Sequence, residues 1–568
     1  MVIQLAEQEI IRIVGYKMIK EYDVIVVGAG FGGPVAAKKC AEAGLKTLMI
    51  ERSKNVGDKV VSGLTIPFYG FLFGPAFIRD GNPPFERPAD GIINYIITDI
   101  EKEEMEIDDS LILPKPLSPI IAFGYNTYCK PFCEWEAKQA VKSGVELKTS
   151  TTVIDFLKEG DYIIGIVTDK GETFKSKIVI NAEGSQGLLS IKAGIRDKYP
   201  PEAISLADTY DYVIPKKAVD RIFGYTSRFC WGWDEQKIAP PLGYGNGLMV
   251  WPYRNSIHFM QDQCLSLGEG KVPNLNKLFD IYHKNITNIS WWRNGVAPFI
   301  KLRARLWEGF EIYVGLDKKL RNFHNFTDGM ILIGDAAGLE STELCDGVPA
   351  AWYSAEIAAD IAIEAIKIND MSKIFLKKYN EKIKAHPIIQ WSISGTNRYN
   401  LRIAQKEHDE KKLKKYIHDG WGLGALTHFM TPLLKTVILY VKEEENILSK
   451  WIKMYFRYFQ NWLYESYGDS VKIRHKNKTS RGSRLFDFIF RVSTRMMDSM
   501  SMMLRRLINR FEPMVNYFID RANIFMKKIL RVVEPFYLRL NRLLKPVTEQ
   551  LSQKLIDYVE QANPKIFV

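Results

Sequence analysis

Residues 23–33 read DVIVVGAGFGG, in which Gly28, Gly30 and Gly33 stand at the spacing G-x-G-x-x-G directly after an apolar, β-branched run. The chemistry of that spacing is close approach. The first glycine permits a tight turn, the second leaves the main chain bare for a pyrophosphate, and the third lets the next helix lie on the strand. Residues 32–43 read as that helix, stopped by Gly44, and KTLMIE reads as a second strand. It ends in Glu51, 18 residues beyond Gly33, where a ribose hydroxyl needs an acceptor. Strand, glycines, helix, strand and acid in that order predict an adenine dinucleotide site.

A second set of residues lies far downstream. The stretch GMILIGDAAG, residues 329–338, brings a strand to Gly334 and Asp335, whose carboxylate can accept hydrogen bonds from a ribityl chain. Gly347 and Val348 then lead into an alanine-rich helix with Pro349 in its first turn. A helix N-terminus aimed at an isoalloxazine stabilises the negative charge acquired on reduction, so the two sets together specify FAD rather than NAD. Between them, RSKNVGDKVVSG places Arg52, Gly57, Lys59 and Gly63 in a loop that would pass the flavin end. VELKTS, a β-meander turning at EGD and DKGE, and KIVINAEG predict further strands, the last reaching Glu183 and Gly184.

The order GAGFGG, ERSKNVGDKVVSG, INAEG and GDAAG resembles the geranylgeranyl reductase superfamily over roughly residues 20–390. That superfamily includes FixC-type electron-transfer flavoprotein:quinone oxidoreductases and shares its fold with p-hydroxybenzoate hydroxylase. The resemblance implies an α/β architecture: a Rossmann-type FAD-binding domain from 20–66, 121–189 and 306–385, with an inserted antiparallel α+β substrate domain from 67–120 and 190–305. An extension at 1–19, a helical segment at 386–470 and a tail at 471–568 complete the expected organisation. Cofactor contacts are expected at Gly28, Gly30, Gly33, Glu51, Arg52, Lys59, Gly63, Glu183, Gly184, Gly334, Asp335, Gly347 and Val348, with no metal. The implied activity moves electrons between a protein donor resembling electron-transfer flavoprotein and a membrane quinone. The alternative is saturation of prenyl-lipid double bonds, and a non-enzymatic alternative is a membrane-bound flavoprotein scaffold. The flavin itself would carry the redox chemistry, with Trp251 and Tyr253 as candidate substrate-wall residues.

Departures from the family pattern are informative. GLMVWPY, residues 247–253, keeps the Trp251 and Pro252 positions of the prenyl-reductase signature Tyr-x-Trp-x-Phe-Pro but lacks its first two aromatics. Leu64 replaces a second glycine of the quinone-branch loop, and Glu183 replaces an aspartate. Cys129 and Cys133 stand where an arginine and an acid are usual; four apart on a helix, they permit a redox pair or an inert buried one. No cysteine follows Cys345, so a quinone oxidoreductase of this kind would need a separate ferredoxin-like subunit for an iron–sulfur cluster.

Composition bounds the rest. With 568 residues, 46% hydrophobic and 25% charged, the chain can form two or three domains with sizeable cores. Six irregularly spaced cysteines suit neither a disulfide framework nor a zinc ribbon and point to a reducing compartment. The first 20 residues carry charges inside their apolar stretch and make a poor signal or span, with Met18 an expected alternative start. Residues 471–568 hold 20 Lys and Arg against 8 Asp and Glu, the whole of the net charge of +12. Leu485, Ile489, Val492, Met496, Met500, Met503, Leu507 and Phe511 recur at helical spacing, and Pro513, Pro535 and Pro546 punctuate an 11- and 22-residue period. That pattern resembles exchangeable lipid-binding helices, so 485–560 is expected on an anionic surface at the cytoplasmic face of the membrane. A partner-binding helical bundle is the alternative. No groove-reading module accompanies the basic residues, which argues against nucleic acid.

Overall fold

The computed structural model describes residues 20–58, 63–112, 122–197, 205–232, 247–264, 275–310, 324–340, 346–394, 409–421, 423–444 and 446–467, with isolated positions at 400–407 and 502–539. Its first layer is a sheet of eight strands built on Lys20–Val27, whose residues Val24 to Val26 are fully buried. Thr173–Asn181 and Thr47–Ile50 flank that strand, both parallel to it, and Met330–Leu332 and Glu146–Lys148 extend the parallel run outward. Burial on both faces explains the continuous β-branched sequence. Val153–Glu159 and Tyr162–Thr168 form the meander, antiparallel to Thr173–Asn181. Helices α1 (Gly32–Glu42), α2 (Cys129–Lys142) and α3 (Val348–Ile368) contribute to the main apolar core, which takes in Val24 and Val26 from the central strand.

A seven-stranded sheet forms the second layer, in the order Lys301–Phe310, Ser205–Val213, Ser256–Cys264, Gly247–Pro252, Thr226–Gly232, Gly91–Asp99 and Glu104–Ile112. All its pairings are antiparallel except that of Thr226–Gly232 with Gly91–Asp99. Lys301–Phe310 stays in this sheet throughout, so the boundary expected at 305/306 falls inside a strand. A small antiparallel sheet of Gly63–Pro67, Gly124–Tyr128 and Arg87–Ala89 completes the sheet architecture.

Helices α4 (Leu423–Glu443) and α5 (Ile447–Tyr467) belong to the body. They grip the two short helices Phe68–Leu72 and Ala76–Arg79 by donating side-chain hydrogen bonds to main-chain carbonyls. Tyr440 Oη reaches Phe73 O, Trp451 Nε1 reaches Leu72 O and Tyr458 Oη reaches Ile78 O, each at 2.7 Å. The buried Arg79 guanidinium makes a two-pronged pair with Glu444 at 3.0 and 2.8 Å. Pro432 lies inside α4, and Thr436 Oγ1 donates to its carbonyl at 2.8 Å. Among the described residues no helix is long and apolar enough to cross a membrane.

Candidate functional site

The glycine loop sits between the central strand and α1, and its glycines answer to different neighbours. Gly28 has φ +100°, and a methyl group there would strike the Ala182 carbonyl. A methyl group on Gly33 would collide with the Gly28 carbonyl oxygen, so this glycine lets helix and strand touch. Gly30 has nothing within 4 Å of the place a Cβ would take. Protein packing therefore accounts for Gly28 and Gly33, while Gly30 leaves bare main chain facing open space, as a pyrophosphate requires. Glu51 is fixed at the end of its strand: Oε2 accepts from Ala29 N and Oε1 from Ser53 N, both at 2.9 Å. Arg52 is exposed, with Nη1 3.4 Å from Gln186 Oε1.

The second motif closes on the first. Gly334 has φ +58° and donates its N–H to Ser354 Oγ at 3.0 Å, which starts the turn that carries Asp335. A Cβ on Gly347 would come within 2.8 Å of Asp335 Oδ1, so glycine is what lets the start of α3 meet this carboxylate. Val348 N donates to Asp346 Oδ1 at 3.2 Å, and Tyr69 Oη donates to Asp346 Oδ2 at 3.3 Å. Burial pushes the Asp346 carboxyl up to about 7 against the pull of those two donors, and Asp335 adds to the rise. Tyr69 is fully buried, its ring 4.7 Å from Phe429 of α4.

Glu183 is engaged by the protein's own main chain. Its carboxylate accepts from Leu189 N, Ser190 N and Ser190 Oγ at 2.8, 2.8 and 2.6 Å, capping the short helix Leu188–Lys192, and from Asn181 Nδ2 at 2.8 Å. Gly184, at φ +83°, supplies the turn. The residue that joins the turn after Gly184 to the second motif is Arg196, for which no local pattern was visible: it donates to Ser185 O at 3.0 Å and to Ala336 O at 3.3 Å. Lys59 lies outside the described residues.

Gly63 meets the substrate-domain sheet. Its N–H donates to His258 Nδ1 at 3.2 Å, and a methyl group on it would collide with the Tyr253 hydroxyl. Tyr253 is wholly buried, stacked on Tyr128 with ring centroids 4.4 Å apart. Behind it, His258 Nε2 lies 3.5 Å from Asp211 Oδ1, and Arg303 binds Asp211 Oδ2 at 2.7 Å. Burial pushes the Asp211 carboxyl up, but His258 and Arg303 outweigh it and hold the group below its ordinary value. Trp251 is 8% exposed, in a cluster with Phe229, Trp231, Met249 and Met260 that also takes in Leu413 and Ile417 of the helix Glu410–Trp421. Cys129 and Cys133 are fully buried and not disulfide-bonded, and burial pushes the Cys133 thiol far above its ordinary value, which favours the inert reading.

Comparison with known proteins agrees with this geometry. Residues 23–246 match the family model for FAD dependent oxidoreductase. Digeranylgeranylglycerophospholipid reductase of Methanocaldococcus jannaschii is 28% identical over 381 residues, covering 64% of this chain and 82% of that protein. Protein FixC of Azorhizobium caulinodans is 27% identical over 352 residues, covering 60% and 75%. The chain is an FAD-dependent oxidoreductase similar to members of the geranylgeranyl reductase and FixC superfamily. The fold agrees: a geranylgeranyl bacteriochlorophyll reductase-like structure from Thermoplasma acidophilum superposes with a TM-score of 0.54 at 21% identity, over 72% of this chain and 99% of that one.

Proposed function

We propose that this oxidoreductase takes electrons from a protein donor and delivers them to an isoprenoid quinone at a membrane surface. Bound FAD would supply the two-electron chemistry. Gly28, Gly30, Gly33 and Glu51 would hold its ADP half, and Asp335 with Gly347 and Val348 the riboflavin half. The carrying observation is the apolar, aromatic packing of the second sheet against the Gly63 loop, in which Trp251 and Tyr253 are both buried, an environment compatible with an apolar acceptor close by. Gly247 and Met249 lack the aromatics of the prenyl-reductase signature, which favours the quinone ring over a lipid chain.

A second reading, saturation of prenyl-lipid double bonds, is supported by the relatives named as digeranylgeranylglycerophospholipid reductases. The deciding experiment is anaerobic reoxidation of the photoreduced protein in liposomes, with menaquinone or a geranylgeranylated glycerolipid in parallel. Rapid return of flavin absorbance with quinone alone supports the first reading. Reoxidation by the glycerolipid, with saturated product, replaces it by the second.

A further inference from the structure

The second sheet has two faces, and the alternation of its strands gives them different partners. Leu248, Val250, Ile257 and Phe259 turn one way, into a core closed by the helices Lys216–Phe223, Leu275–Thr287 and Ser290–Gly295. Phe229, Trp231, Met249, Trp251 and Met260 turn the other way and are 3–8% exposed. Part of the cover over this aromatic face comes from far along the chain. It is the helix Glu410–Trp421, whose Leu413 and Ile417 are fully buried in the same cluster. The opposite side of that helix is basic, with Lys411, Lys412 and Lys415 exposed. The helix also supplies much of its own support. Asp409 Oδ1 accepts from Lys412 N at 2.9 Å and caps the first turn, while Lys412 Nζ pairs with Glu407 at 2.8 Å and with Asp409 at 3.3 Å. Lys414 ties it to the edge strand Glu104–Ile112 through Glu106, at 2.6 Å, in a pair that faces solvent. Where the helix gives way to α4, a Cβ on Gly424 would come within 2.8 Å of His418 Cδ2, so Gly424 permits a close turn, with Gly420 just before it. The neighbouring α4 and α5 are instead pinned by Tyr440, Trp451 and Tyr458 to buried main-chain carbonyls.

We propose that the helix Glu410–Trp421 is a lid over the aromatic face of the second sheet, opened by an anionic lipid surface; this rests on the reading that an apolar acceptor from the membrane is reduced beside that face. In the closed state Leu413 and Ile417 lie on the sheet and the lysines face water. At a bilayer the helix exchanges one apolar partner for another. Leu413 and Ile417 enter the acyl boundary while Lys411, Lys412 and Lys415 stay at the level of the anionic headgroups, the arrangement that an amphipathic basic helix adopts at an interface. A ligand shifts such an equilibrium only by binding one state better than the other. Anionic lipid does so here, because only the open helix offers it the lysines and the apolar side chains together. Neutral lipid lacks the charge that draws the lysines in. The face left behind, with Phe229, Trp231, Met249 and Trp251, is then uncovered toward the membrane in which the acceptor is dissolved. In water it stays closed, which keeps a large aromatic surface from solvent.

The test uses the full-length, FAD-loaded protein and takes Met249 and Met260, 6% and 5% exposed, as reporters of the covered face. Their conversion to sulfoxide by dilute peroxide, with the flavin already oxidised, is followed by mass spectrometry. The expected result is a rise of at least about tenfold in the rate with phosphatidylglycerol vesicles and of less than about twofold with phosphatidylcholine vesicles. Leu413→Ala with Ile417→Ala loosens the closed state and should bring the higher rate without any vesicle. Lys411→Glu with Lys415→Glu leaves the buried side of the helix intact and removes its attraction for anionic lipid. That surface variant should therefore keep the low rate when vesicles are added, while still floating with them through the basic residues of 471–568. Unchanged oxidation of wild-type Met249 and Met260 by anionic vesicles overturns the proposal, as does full stimulation of the Lys411→Glu, Lys415→Glu variant. Loss of flotation in that variant would make the helix an anchor rather than a lid and overturn it too. These readings hold even if the Leu413→Ala, Ile417→Ala variant fails to fold. They also need no acceptor, so failure of menaquinone and glycerolipid to reoxidise the wild type would overturn the proposed function and leave the opening of the helix measurable by itself.

Discussion

Gly30 and Gly33 lie three residues apart and are glycines for opposite reasons, one because a ligand needs the space and the other because the protein fills it. Gly30→Val should therefore leave the apo fold intact, with a melting temperature within about 2 °C of wild type, while FAD affinity falls more than ~100-fold because the side chain takes the pyrophosphate's place. Gly33→Ala should do the reverse and lower apo stability by about 3 kcal/mol through overpacking against Gly28. Equilibrium denaturation and FAD titration of both variants check the pair, and equal effects on stability would refute the division. Asp346 permits a pH test. Its carboxyl is raised from an ordinary 3.8 to about 7, chiefly by burial, so between those values the folded chain keeps a proton that the unfolded chain has released. The stability from this group is complete below about 4 and is lost as pH rises through 7. Asp346→Asn removes the dependence, so wild-type minus variant stability should decline from pH 4 to 7 in urea titrations; a flat difference would exclude a raised carboxyl. The glycines, Glu51 and Asp335 were legible in the sequence because each sits at a fixed covalent spacing from a strand end. Arg196, Asp346, Tyr69 and His258 were not, since their partners lie as far as 277 residues away and leave no local pattern.

At the level of elements, the sequence predicts the parallel strands and α1 correctly, because a buried β-branched run ending in glycine has few other solutions. Glu183 shows why a carboxylate is harder to read than a glycine. A carboxylate after a core strand suits a ligand and a helix cap equally well, and the next turn, Leu188–Lys192, donates three hydrogen bonds to this one. The helices α4 and α5 were expected only as a helical segment, yet they hold the 68–79 stretch through Tyr440, Trp451 and Tyr458. That stretch carries Tyr69, which reaches Asp346 at the start of α3, so the C-terminal helices support the site at one remove. Removing any one of these donors strands a main-chain carbonyl. Tyr440→Phe or Tyr458→Phe should each cost about 1–3 kcal/mol in urea denaturation. Arg79→Met, which leaves Glu444 paired only with Lys450, should cost about 1–3 kcal/mol. If all three were neutral, the C-terminal helices would be an appendage and their contacts incidental.

At the scale of the whole molecule, the excess of positive charge is confined to one end, beyond the catalytic body. The apolar stripe expected at 485–511 lies almost wholly outside the described residues, but the positions described from 502 to 521 reveal a second pattern. Ile508 is 5% exposed and Ile519 packs on the main core; the two are eleven residues apart, three helical turns. Arg506, Arg510, Tyr517 and Arg521 are exposed, and Met503 is 62% exposed. Ile508 and Ile519 seat this part of the tail on the body, which leaves arginines with Met502, Met503, Leu504 and Tyr517 to meet the outside. Such a face suits the headgroup region of an anionic bilayer, each basic residue near the surface contributing about 1 kcal/mol. Reversing Arg506, Arg510 and Arg521 to Glu should then cost at least about 3 kcal/mol of membrane affinity, more than ~100-fold in partitioning. Flotation of the full chain with phosphatidylglycerol-containing vesicles should show this loss, and the wild type should fail to float with neutral phosphatidylcholine vesicles. Binding should also weaken steeply as salt shortens the Debye length below about 8 Å. Ile508→Ala should instead lower stability and leave flotation of the folded protein unchanged, since its side chain faces the core. Should the arginine variant float as well as wild type while Ile508→Ala does not, the two faces are exchanged, and the lipid contact belongs to the buried row after it swings free of the body.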